Sequence, residues 1–289
     1  MSDILKKVVF SVDLEDWFHG IELPFSSWNQ YDRRIEKSFY TIFNLLESYQ
    51  VKATWFTLGW IAEHYPHLIK ELDKAGHELA SHTYSHEKVY HLTREQFREE
   101  IKKTKSLIED LTGKPILAHR SPFFSITSKS LWALDILAEE GFRIDCSISP
   151  VKTWRYGIAT CPDTIFEIKE NHIIEFPVSR FRLLKKNWGI GGAYFRLFPY
   201  FFTRTGIKKR QNAELPTIFY IHPWEYDPHH PKIPLDWRAK ITHYTHLKKT
   251  YPRTERLIQE FNFVTLSQYI SEYVKQYHIP TISIQDLQD

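Results

Sequence analysis

Two imidazoles four residues apart, His82 and His86, close the stretch His77-Glu78-Leu79-Ala80-Ser81-His82-Thr83-Tyr84-Ser85-His86. Neutral imidazole is the commonest protein metal ligand, and two at this spacing reach one ion if the chain turns after a strand. The pair alone decides little, because the chain holds 15 His and chance pairs are expected among so many. Its meaning rests on three other polar stretches. Asp13, Glu15 and Asp16 cluster at the end of an apolar run, Arg120 and Pro122 follow another, and His222 ends a third, just before Pro223-Trp224-Glu225. Two His and one carboxylate leave an open position on a metal, the arrangement of hydrolytic sites. A second carboxylate can take a proton from water, and a separate His can return one to a leaving amine. Each residue also has a plain structural role open to it: a solvated acid cluster, a salt bridge, a hydrogen-bonded core histidine.

The elements that must carry these residues alternate. Short β-branched, apolar runs at residues 7–14, 52–58, 115–118 and 142–148 read as strands, with a further strand carrying the His pair. Between them lie helical patterns at 34–50, 61–75 (closed by Gly76), from Thr93 (with Gln96 in the capping-box position) and 129–140 (ended by Gly141). Order weakens over 150–190, where 173–177 is a short strand. Residues 217–222 form a clear strand, 227–236 a Pro- and His-rich loop, 246–261 a helix, 263–266 a last strand and 267–277 a last helix. Alternation of this kind predicts an α/β fold with a parallel sheet, its polar residues at the carboxyl ends of the strands. Without repeat or linker, residues 1–289 read as one domain, with a motif-bearing core over about 8–265 and a peripheral segment at 266–289.

Composition narrows the function. Hydrophobic residues at 42% and charged residues at 25% suit a soluble protein with a real core. Aromatic residues reach 16%, and their faces suit sugar rings. A net charge of +3 is too small to argue for nucleic acid. Cys146 and Cys161 are the two cysteines, so no disulfide framework is expected. The opening residues lack a secretory apolar core, and no apolar run approaches the roughly 18 residues of a membrane span. A cytoplasmic location is therefore expected. The apolar run 194–203 suits either a buried helix or contact with a membrane surface; the few basic residues within it favour the helix.

The ordered strand-end set resembles the polysaccharide deacetylase family, the NodB-homology or carbohydrate esterase 4 enzymes, and within it the branch of bacterial exopolysaccharide gene clusters. The wording that carries the resemblance stands at 12–18 (VDLEDWF), 76–86 (GHELASHTYSH), 120–125 (RSPFFS), 191–196 (GGAYFR) and 220–225 (YIHPWE). The resemblance implies a distorted (β/α) barrel with one divalent metal, usually zinc, that removes N-acetyl groups from amino sugars. It implies Asp13 as general base, His222 as general acid, Arg120 as partner of Asp13, and His82 and His86 as metal ligands. The family's first motif has two adjacent carboxylates, whereas here Leu14 follows Asp13. Glu15 shares a strand face with Asp13, while Asp16 has the preferred side-chain length and sits where the strand ends. The reading places Asp16 on the metal, with Glu15 as the alternative. Trp17, Phe18, Pro122, Tyr194 and Trp224 are expected near the substrate, Glu175 or Asp145 behind His222, and His229, His230, His243 and His246 on the surface. Rival readings are hydrolysis of another C–N bond, as in allantoinase-like relatives, or glycan binding without turnover.

Overall fold

The computed structural model describes residues 3–153 and 156–288. In chain order the strands are β1 (Lys7–Leu14), β2 (Thr54–Thr57), β3 (Glu78–Ser81), β4 (Ala118–His119), β5 (Ile144–Asp145), β6 (Phe166–Ile168), β7 (Ile174–Glu175), β8 (Arg180–Leu183), β9 (Lys186–Gly189), β10 (Ile218–Ile221), β11 (Asn262–Val264) and β12 (Thr281–Ile282). The helices are α1 (Ile35–Ser48), α2 (Gly59–His64), α3 (Pro66–Lys74), α4 (Arg94–Thr112), α5 (Trp132–Glu139), α6 (Gly192–Leu197), α7 (Tyr200–Asn212), α8 (Trp237–Tyr244), α9 (Thr250–Glu260) and α10 (Leu266–Tyr273).

One sheet runs β10-β1-β2-β3-β4-β5-β7-β6-β12, with β11 also pairing β1. Its ladders are parallel except between β6 and β7. β1 is buried along nearly its whole length, which explains its continuous apolar text. The β8–β9 hairpin bridges the gap back to β10. Val178 N–H donates to Ile148 O, Ile190 N–H to the Ser179 carbonyl, Ile218 N–H to Ser179 Oγ, and Gly191 bridges to Tyr220. The result is an α/β fold whose mostly parallel sheet is joined on one side by the separate β8–β9 hairpin.

Alternation along the strands sorts side chains to two sides. Val9, Phe56, Ala80, Ala118, Ile144, Phe176 and Ile218 gather in one buried cluster, closed by Leu266, Tyr269 and Ile270 of α10. Val8, Phe10, Val12, Trp55 and Leu79 face the helices instead, in the larger core with Phe39 and Ile42 of α1 and Phe97 of α4. On β3 and β4 the next position on the same face as this interior cluster, His82 after Ala80 and Arg120 after Ala118, belongs to the site.

The expected helix over 61–75 is two helices. Pro66 begins the second one, because proline disfavours helical backbone at Tyr65. The capping box of α4 forms as expected, with Gln96 N–H donating to Thr93 Oγ1. The run 194–203 is broken at Phe198-Pro199 into α6 and α7, and Phe201 is 64% exposed. Helix α8 was not foreseen. Cys146 and Cys161 are free and buried. Among the described residues, no helix is long and apolar enough to cross a membrane.

Candidate active site

Glu15, not Asp16, joins the two histidines. Glu15 Oε1 lies 3.1 Å from His82 Nε2 and 2.9 Å from His86 Nε2, and all three residues are buried. Their donor atoms fall within 4.8 Å of one another. His82 Nδ1 pairs with the Arg120 carbonyl at 2.7 Å. That bond needs the proton on Nδ1 and leaves the Nε2 lone pair facing a carboxylate oxygen. Two such acceptors repel unless a proton or a metal cation stands between them. Glu15 Oε2 is buried without a hydrogen-bond partner among the described residues. Burial pushes the Glu15 carboxyl up, but the positive ends of the nearby His86 and His222 rings and the close contacts with His82 and His86 outweigh it and hold it well below the usual carboxylate range. Two imidazoles, one carboxylate and an unsatisfied oxygen fit a divalent metal with room for a further ligand.

Asp16 faces the other way. Its Oδ1 accepts from Trp17 N–H at 2.7 Å, and its Oδ2 from the Arg34 and Ile35 amides at 2.7 and 3.0 Å. It caps the start of α1, a task that its odd-even offset from Asp13 imposes. Burial pushes its carboxyl up to about 7 against the pull of these amides.

The loop that presents the histidines is pinned by a residue the sequence reading passed over. Glu100 Oε2 of α4 accepts from the Tyr84 and Ser85 amides at 2.8 and 2.7 Å. Thr83 and His86 sit in left-handed backbone, at φ 60° and 57°, so the turn is held rather than relaxed.

Beside this cluster stands a second one. Arg120 Nη1 donates to Asp13 Oδ1 at 2.6 Å and to Ser11 Oγ at 3.1 Å. Its guanidinium lies 4.0 Å from the Phe56 ring centroid. Asp13 Oδ2 is 3.8 Å from His222 Nε2. His222 Nδ1 pairs with Glu225 Oε1 at 2.7 Å, and Glu225 Oε2 accepts from Arg196 Nε. Arg196 is itself tied to the Thr242 and Thr245 carbonyls. The residue behind His222 is thus Glu225, not Glu175 or Asp145. Those two sit opposite each other on β7 and β5, where the Asp145 oxygens accept from Ser147 and Glu175 Oε1 from the Ile148 amide. Glu225 carried a readable signal, a carboxylate three residues beyond the His in the same motif. Burial disfavours the His222 imidazolium, yet Glu15, Glu225 and Asp13 outweigh it and raise the ring to about 9.

Residues 26–143 match the family described as polysaccharide deacetylase. Residues 146–271 match a domain of unknown function (DUF3473). Residues 26–143 are thus similar to polysaccharide deacetylases. It is 32% identical over 107 residues to a peptidoglycan deacetylase of Helicobacter pylori, covering 37% of this chain and 36% of that one. It is 34% identical over 104 residues to a peptidoglycan-N-acetylglucosamine deacetylase of Bacillus cereus, covering 36% of each. The chain thus spans about a third of the length of these curated relatives. A crystal structure from Mycobacterium smegmatis, described as a polysaccharide deacetylase, superposes with a TM-score of 0.64 at 17% identity, covering 95% of this chain and 92% of that one. At that identity the likeness shows a shared fold. The candidate site straddles both matched spans: His82, His86 and Arg120 lie in the first, Arg196, His222 and Glu225 in the second, and Asp13 and Glu15 before either.

A cavity of about 830 Å³ opens on this site, and Tyr194, Trp224, Tyr220 and Phe123 line it with Asp13, Glu15, His86 and His222. Trp17 does not belong to its wall. It is fully buried, donates its indole N–H to Asp32 O and packs on Phe18 and Tyr31. Phe18 is core as well. Pro122 is buried too, while its neighbours Ser121, Phe123 and Phe124 reach the cavity. Proline starts the turn that places Phe123 and Phe124 at φ 54° and 52°. His230 and His243, expected at the surface, are buried, and His243 stacks on Trp224 at 4.2 Å between ring centroids.

Proposed function

We propose that this protein removes N-acetyl groups from amino sugars of a bacterial exopolysaccharide, surface glycan or glycan precursor, releasing acetate. One observation carries the proposal: Glu15, His82 and His86 converge beside an Asp13–Arg120 pair and a Glu225-backed His222, and Asp13, Glu15, His86 and His222 line one cavity. The curated names of the similar proteins, which act on peptidoglycan and its N-acetylglucosamine, support an amino-sugar substrate. The departure at Leu14 does not remove a metal carboxylate, because Glu15 reaches the position by strand alternation. We read the whole chain as one catalytic domain, since both matched spans supply residues to a single site.

Glu15, His82 and His86 would hold one divalent ion, and zinc suits two imidazoles and a carboxylate. When bound, such an ion would polarise the acetamide carbonyl and lower the pKa of water toward roughly 7. Asp13 is the base that takes the water proton, and its hydrogen bond from Arg120 aims it. His222, held as an imidazolium by Glu225, gives its Nε2 proton to the leaving amine. Glu225 fixes the ring through Nδ1, and Arg196 fixes Glu225. Tyr194 and Trp224 offer aromatic faces to the sugar.

The test is acetate release from tetra-N-acetylchitotetraose and from purified peptidoglycan, before and after chelation and after zinc is restored. Metal-dependent acetate release is expected. A metal-loaded protein that frees no acetate from any N-acetylated glycan would overturn the proposal.

A further inference from the structure

From Phe176 to Ala213 the chain has nine Lys and Arg and no Asp or Glu, although the whole chain is nearly balanced at 38 to 35. This segment builds β8, β9, α6 and α7. Structure accounts for some of its charge. Arg180 and Arg210 bind Asp163, Arg196 binds Glu225, and Arg204 binds Glu260. Arg182, Lys185, Lys186 and Lys208 are exposed and form no ion pair with a described residue.

At the centre of this free charge lies an apolar residue in an unfavourable place. Leu183 pairs with Lys186 across the hairpin, so Leu184 and Lys185 form a two-residue turn. Both have positive φ, 50° and 62°. Such turns favour Asn-Gly, and a branched aliphatic residue there is strained. Leu184 is nonetheless 87% exposed, the highest value among the exposed large hydrophobic residues, and touches no core. Phe201, at the start of α7 in the same segment, is 64% exposed. Folding gains nothing from a strained, solvated leucine, and a soluble partner site needs no acid-free surround. Exposed apolar side chains in a segment of unpaired lysine and arginine complement an anionic bilayer, where the apolar groups enter the acyl boundary and the cations meet phosphate.

We propose that the β8–β9 hairpin tip, with Leu184 as its apolar anchor, docks this protein on an anionic lipid surface. The inference stands apart from the hydrolytic reading. β9 runs directly into Gly191–Leu197, whose Ala193, Tyr194 and Leu197 line the cavity, so docking brings that segment of the cavity wall close to the bilayer.

The test is co-sedimentation with vesicles of phosphatidylcholine alone and of phosphatidylcholine with phosphatidylglycerol, over a range of NaCl. Binding is expected to the anionic vesicles, weakening as salt rises. Leu184→Asn keeps the charge and suits the turn, so the melting temperature holds or rises while the partition coefficient falls roughly tenfold or more. Lys185→Glu/Lys186→Glu abolishes binding. The proposal is overturned if the wild type ignores anionic vesicles at low salt, or if Leu184→Asn binds them equally well. It is also overturned if a soluble polyanion such as heparin or RNA binds as tightly and without dependence on Leu184, or if Leu184 instead mediates association of two copies in sedimentation.

Discussion

Glu225 stands three residues beyond His222 and closes a 2.7 Å contact with its Nδ1, while Asp13 faces Nε2 from 3.8 Å. The ring is therefore held by a carboxylate on one side and presents its other nitrogen to the cavity. Arg196 holds Glu225 in turn, and burial of that carboxyl is outweighed by Arg196 and His222, which keep it ionised.

A protonated His222 is the active form for donation to an amine. Its pKa is raised to about 9, so the acid is present below that value and activity falls as pH rises through it. A metal on Glu15 offsets part of that carboxylate's influence and moves the limb somewhat lower. Replacing Glu225 by Gln removes a further anion. The basic limb of kcat/KM should then shift to lower pH, toward the ordinary histidine range, and activity at pH 8 should fall roughly tenfold or more. A pH profile of acetate release reads both effects.

Asp13 and Arg120 can be separated by what each variant leaves behind. Asp13→Asn keeps the size and loses the base, so kcat should fall by about 10² to 10⁴ with metal content unchanged. Arg120→Met strands a buried carboxylate without its cation and should cost about 3–5 kcal/mol of stability as well as activity. Thermal melts beside metal analysis distinguish the two.

How far the sequence could be read turns on alternation. Asp13, His82, Arg120 and His222 each lie an even number of residues beyond an inward-facing core residue: Val9, Ala80, Ala118 and Ile218. In the sequence they are visible as polar residues at the carboxyl ends of apolar runs. Alternation favoured Glu15 over Asp16, and a preference for side-chain length pointed the wrong way. Asp16 serves α1, a contact with Arg34 and Ile35 that lies 18 and 19 residues along the chain and has no local signature. Trp17 and Trp224 read alike as text, yet one fills the core and the other lines the cavity. The β8–β9 hairpin stayed hidden because Leu184-Lys185 is not the Asn-Gly turn that announces one. Helix α8 has a short, poorly amphipathic text and lies mostly exposed.

Asp145 and Glu175 predict a pH effect on stability. Both are fully buried, and burial pushes Asp145 up and Glu175 well up, the latter raised further by Asp145. A carboxyl whose pKa is raised by folding is a burden above its unfolded value near 4.5, and the burden grows until the folded pKa is passed. Glu175→Gln should therefore raise the melting temperature at neutral pH and leave it nearly unchanged near pH 4. Melting curves across that range give the answer.

The most direct test of the central claim is metal content of Glu15→Ala and Asp16→Ala, measured by elemental analysis with acetate release on the same samples. Asp16→Ala should bind about one ion per chain and retain acetate release, while losing about 1–3 kcal/mol of stability from the three freed amides. Glu15→Ala should fold, bind no metal and release no acetate. A folded Asp16→Ala that has lost its metal, beside a Glu15→Ala that keeps it, would contradict the site described here.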